Sequence, residues 1–156
     1  MLRSALAASA ALVLLAFAGQ ARAHCQIPCG IYDDHARIHQ IREDITTIAK
    51  SVKELGALAG KSDVQSINQA VRWVMNKDVH AEKIIRTISD YFLTQKLPPP
   101  AASDKKGYAA YLEKLARHHA VMVAAMKCKQ SGKADTIKGL EKAVDGIEGY
   151  WPEAKK

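Results

Sequence analysis

Aromatic side chains are scarce in this chain, at 6% of 156 residues, and no stretch alternates apolar and polar residues as a half-buried strand does. Both absences argue against a sheet. No unit of 20–50 residues recurs, which excludes a solenoid or propeller. No block of five or six like charges appears, so the formal charge of +7 does not amount to a nucleic-acid footprint. The longest apolar run, Ala5–Ala18, falls short of the roughly 20 residues a membrane span needs. Cysteines number only three, an odd count, which leaves disulfide bonding, metal ligation and burial open for each.

What is present is helical material. Hydrophobic residues make up 48% of the chain, enough for one core, and Ala, Ile, Leu and Lys dominate. The first 23 residues stand apart. Arg3 precedes the apolar run, and Ala21-Arg22-Ala23 places small residues where a signal peptidase reads. Residues 1–23 are therefore predicted to be a signal peptide cut after Ala23. The product would be exported, periplasmic or secreted, and without a stable membrane anchor. Arg3 and Arg22 leave with the peptide, so the mature chain keeps a charge of +5. A positive field of that kind attracts small anions.

Four amphipathic stretches follow. The first, capped by Asp33 or Asp34, has a seam of Ile38, Ile41, Ile45, Ile48, Val52 and Leu55, with Gly56 and Gly60 marking its end. The second opens at Ser62 with Gln65 three residues on. Its seam is Ile67, Val71, Val74, Ala81, Ile85, Ile88 and Phe92, with Asp78 in one slot as the mark of a bend or a subunit contact. It ends before Leu97 and three prolines. The third runs from about Tyr108 to Lys129, with Tyr111, Leu115, His118 or His119, Met122 and Met126 on one side. The fourth carries Ile137, Leu140, Val144, Ile147 and Trp151. Short connections between four such helices predict an all-α, up-and-down four-helix bundle over residues 33–156.

The distinctive chemistry is concentrated in residues 24–32, an irregular amino-terminal hook. Cleavage after Ala23 frees the α-amine of His24. That amine, the His24 imidazole, the backbone nitrogen and thiolate of Cys25, and the thiolate of Cys29 then lie within six residues. An amine, an amide nitrogen and two thiolates make a square plane, which suits Ni(II) or Cu(II) rather than tetrahedral zinc. Pro28 and Gly30 fit the tight turn that brings the two sulfurs together. Two other readings stand beside this one. Cys25 and Cys29 form a disulfide if their Cα atoms come within about 7 Å. Alternatively, the hook belongs to an exported copper or nickel carrier that performs no turnover.

His24, Cys25, Pro28, Cys29, Gly30 and Tyr32 together read His-Cys-x-x-Pro-Cys-Gly-x-Tyr, which resembles the nickel hook of the nickel superoxide dismutases. Weaker likeness continues through Asp33, Ala36-Arg37-Ile38 and Asp90-Tyr91-Phe92. The resemblance implies a Ni(2+)/Ni(3+) centre, one per chain, held by His24, Cys25 and Cys29. It implies superoxide as substrate, Tyr32 over the open face of the metal, and a homohexamer. There are departures. Gln26 stands where an acid is common. His39 stands where a glutamate steadies the axial imidazole. The arginine partner of that glutamate is not evident near Asn76 and Lys77. Among the remaining residues, His35 reads as surface, and one of His118 and His119 as a hydrogen-bonded core histidine. Cys128 reads as a small packed residue or free thiol, and Trp73, Tyr91, Phe92 and Trp151 as core or subunit contacts.

Overall fold

The computed structural model describes residues 32–153. These form four helices, with no strand among the described residues. Helix α1 spans Asp34–Leu58, α2 Val64–Arg86, α3 Lys105–Gln130 and α4 Ala134–Glu148, and a π-helical segment over Thr87–Lys96 prolongs α2. Each helix packs on the next and α4 returns to α1, so the predicted bundle forms.

The starts of the first three helices follow from side-chain caps. Asp33 accepts from the backbone amides of His35 and Ala36 and so opens α1. Helix α2 opens one residue later than the sequence suggested. Asp63, not Ser62, is the cap, accepting from the amide of Ser66 at 2.9 Å and from its hydroxyl at 2.6 Å. A carboxylate can serve both donors at once, and that advantage decides between neighbouring candidates. Asp104 caps α3 by accepting from the amide of Gly107 at 2.8 Å. A Cβ at Gly107 would lie 2.1 Å from the Asp104 carboxylate, so only glycine allows that approach. Gly60, at φ +79°, reverses the chain after α1.

The core follows the predicted seams in α1 and α4. Ile38, Ile41, Ile45, Ile48 and Val52 are buried, as are Ile137, Leu140, Val144, Ile147 and Trp151. Helix α2 departs from its prediction. Ala81, Ile88 and Phe92 are buried, but Ile67, Val71 and Val74 are 51%, 53% and 43% exposed. The reason is length. Helix α4 has 15 residues and α1 has 25, about 22 Å against 37 Å at 1.5 Å per residue. Helix α3 has 26 residues but its last turn lies against Lys77, partway along α2, so the amino-terminal part of the α2 seam extends past the end of α3. Helix α3 turns a slightly different face inward than expected: His118, Val121, Ala124, Ala125 and Cys128 are buried, whereas Met126 is 42% exposed.

Lys77 is the unusual core residue, only 3% exposed. Its ammonium donates to the carbonyls of Cys128 at 2.7 Å and Lys129 at 2.5 Å, and to Asp78 Oδ1 at 2.9 Å. Those carbonyls belong to the last turn of α3, where no intrahelical donor remains and the dipole is negative. A lysine from α2 thus caps α3, using all three of its protons. Asp78, the polar slot in the α2 seam, is the counter-ion of this cap.

Candidate metal centre

The three predicted metal ligands, His24, Cys25 and Cys29, lie outside the described residues. The described chain begins at the last residue of the predicted hook, Tyr32, which the side chains of Tyr91 and Arg37 hold. Its ring meets Tyr91 edge-on, 6.2 Å between centroids at 72°. The guanidinium of Arg37, one turn into α1, lies 4.4 Å above the Tyr32 ring and 5.4 Å from that of Tyr91. The Tyr91 hydroxyl, brought in by the π segment, donates to Asp34 Oδ1 at 2.5 Å and lies 3.4 Å from the Tyr32 carbonyl.

Charge at this end of the bundle is arranged by pairing. Lys96 Nζ sits 2.8 Å from Asp34 Oδ1, so that lysine and that carboxylate largely cancel. Arg37 donates to the neutral Gln40 at 2.8 Å and, among the described residues, forms no ion pair with a carboxylate. Its positive charge remains beside Tyr32.

The histidines sort into different roles. His35 is half-buried rather than a surface residue; its Nδ1–H donates to the Trp151 carbonyl at 2.8 Å. His39 is exposed and stands edge-on to His35, with centroids 4.6 Å apart. Asn76 and Lys77, near the place of the family arginine, are committed elsewhere: Asn76 donates to Ser51 Oγ at 3.0 Å and Lys77 caps α3. His80 pairs with Asp44 at 2.5 Å in a polar cleft between α1 and α2. His118 is the buried histidine of its pair, as expected. Burial pushes its pKa down. Cys128 is a free thiol packed in the core, donating to the Thr136 carbonyl at 3.4 Å, and burial raises its pKa. Among the described residues no group of three or more His, Cys, Asp or Glu side chains is placed to hold a metal ion. No described helix is long and apolar enough to cross a membrane.

The sequence alone did not reveal that Asp34 and Lys96 converge on Tyr91, which in turn meets Tyr32. The one signal available was the Asp90-Tyr91-Phe92 triplet, read as the end of a helix rather than as a support for the hook.

The fold defines the class, an all-α four-helix bundle, whose first described residue is a tyrosine braced beside an arginine that has no carboxylate partner among the described residues. The comparisons narrow that class: a family model described as nickel-containing superoxide dismutase matches residues 19–155. The chain belongs to that family and is an enzyme whose cofactor is nickel. The carrier reading therefore falls. No curated protein and no solved structure matches the chain.

Proposed function

We propose that the nickel of this superoxide dismutase sits at a processed amino terminus beginning at His24. Its ligands are the amine and imidazole of His24, the backbone nitrogen and thiolate of Cys25, and the thiolate of Cys29. The observation that carries the reading is the donor set: two soft thiolates and two or three nitrogens within six residues, in a chain of the nickel family. Bound there, nickel supplies one-electron chemistry between Ni(II) and Ni(III), so that one superoxide gives oxygen and the next, with two protons, gives hydrogen peroxide.

The chain's own residues set the conditions for that chemistry. Tyr32, clamped between Tyr91 and Arg37, forms a rigid wall next to the hook and restricts what reaches it. Arg37 places a positive charge at the same spot, which favours the approach of an anion. Asp34 and Lys96 fix Tyr91, and Tyr91 fixes Tyr32. Oxidation of the sulfurs to a disulfide would remove two ligands, so the hook requires both as thiolates.

The amine at His24 exists only after cleavage, so the reading includes export through the signal peptide and a periplasmic or secreted location. It also includes assembly into a homohexamer. Val64, Ile67, Val71, Val74, Met75 and Val79 form an exposed apolar stripe along α2, a surface suited to subunit contact.

The test is intact-mass and metal analysis of the mature protein, beside a variant with one alanine inserted before His24. The expected result is a chain starting at His24 with one nickel, and loss of both nickel and superoxide turnover in the insertion variant. An active protein that retains any residue ahead of His24 sinks the assignment.

A further inference from the structure

The carboxy-terminal turn is tied to the start of α1 through a buried histidine that the reaction does not use. Trp151 follows α4 and is 9% exposed. Its indole Nε1–H donates to His118 Nε2 at 3.1 Å, and its carbonyl accepts from His35 Nδ1–H at 2.8 Å. One residue thus joins α3 to the first turn of α1, within three residues of Tyr32.

The tautomer of His118 follows from its two partners. Its Nδ1 lies 2.7 Å from the Lys114 carbonyl, which can only accept, so the proton is on Nδ1. Nε2 must then be the bare nitrogen, and the indole N–H, which can only donate, points at it. Protonation of Nε2 would set one N–H against another. His35 differs: its Nδ1–H donates to the Trp151 carbonyl whether the ring is neutral or charged. The joint therefore has one hydrogen bond that protonation breaks, the one at His118 Nε2.

We propose that His118 is the proton-sensitive lock of this clasp: when it is protonated, Trp151 is released and the start of α1, with Tyr32, loses its tie to the carboxy-terminal turn.

The surroundings of His118 favour the neutral, locked state. From its own helix Lys114 contributes a positive charge, its ammonium 5.2 Å from the Tyr150 ring. From the carboxy-terminal turn Tyr150 stacks on the imidazole at 6.2 Å and 19°. From the π segment Phe92 lies 5.7 Å away, with Tyr91 behind it. From α1, His35 lies on the far side of Trp151, donating to its carbonyl. None of these groups is a carboxylate that would hold an imidazolium.

The test uses the full nickel-loaded protein carrying Trp73→Phe, so that Trp151 alone reports. As pH falls from 7.5 to 5, Trp151 emission should shift to the red and become accessible to acrylamide. The transition should involve one proton, with a midpoint below the ordinary 6.5 of histidine. Amide exchange over residues 34–38, read by mass spectrometry, should rise in parallel while far-UV circular dichroism stays constant. Adding His118→Gln supplies an acceptor that does not titrate and should abolish the transition. Trp151→Phe in the wild-type background keeps the ring without the donor. It should show the faster exchange already at pH 7.5 and little further change. Persistence of the transition in His118→Gln, or wild-type-like exchange in Trp151→Phe, overturns the proposal.

Discussion

Replacing Lys77 by methionine isolates the polar work of that residue, because the thioether keeps most of the buried stem. Three donors vanish, two of which serve carbonyls in the last turn of α3. A hydrogen bond from a charged donor is worth about 1.5–3 kcal/mol, and an orphaned buried carbonyl costs about 1–3 kcal/mol. Against this, the variant no longer desolvates an ammonium, which costs several kcal/mol per ion. Asp78 is 41% exposed on its side chain and water replaces its partner readily, so it adds little. The balance is a loss of about 2 kcal/mol, or about 6–10 °C in Tm for a domain of this size. Urea unfolding of the nickel-loaded protein at fixed concentration measures it. The difference should persist at high salt, since the site is buried. A Lys77→Met protein as stable as the parent would show that desolvation cancels the three bonds and that the lysine is not a cap in any energetic sense.

Acid should destabilise the bundle through His118. Its folded-state pKa lies below its ordinary value, so the unfolded chain binds the proton more readily; the associated stability is full above about pH 6.5 and falls as pH drops below it, by at most about 1.4 kcal/mol per pH unit. Urea midpoints at pH 7.5 and 5.5 should diverge more in the parent than in His118→Gln. Gly107→Ala should break the Asp104 cap at the start of α3 and cost about 1–2 kcal/mol, visible as a lower Tm. Arg37→Gln should lower kcat/KM at low ionic strength and flatten its salt dependence, measured by pulse radiolysis; an unchanged salt profile would remove Arg37 from any role in attraction. Cys128, buried with a raised pKa, should resist maleimide in the folded protein and react only on unfolding.

Much of the bundle was legible because α1 and α4 carry uninterrupted apolar seams, and a seam of period near 3.6 has one stable home. Helix α2 was legible as a helix but not in its burial. Its pattern continues past the end of α3, and a helix pattern carries no record of its neighbours' lengths. The π segment was read as ordinary helix, since hydrophobic spacing does not distinguish an i→i+5 turn over so short a stretch. The cap at Asp63 was displaced by one residue because Ser62 and Asp63 are both good caps and only three-dimensional geometry ranks them. The hook is an expectation from residue chemistry, with Tyr32 added by the family resemblance, and only Tyr32 of it lies among the described residues. Tyr91, which braces Tyr32, and its partners Asp34 and Lys96 were not legible, because sequence separations near 60 residues hide a three-way contact. Lys77 was hidden for a related reason: nothing local distinguishes a lysine that will end another helix from one that will face water.

The widened turn after α2 has a consequence for what this chain can tolerate. Within it, two adjacent rings serve two different clients: Tyr91 reaches the acid at the head of α1, and Phe92 packs 4.8 Å from Trp151. Neighbouring positions can divide their labour this way only while the coil between Thr87 and Lys96 keeps its count of residues. A single deletion there would swing one ring away from its client. That ruler is ten residues long, and it lies far in sequence from Tyr32, the residue it helps to hold.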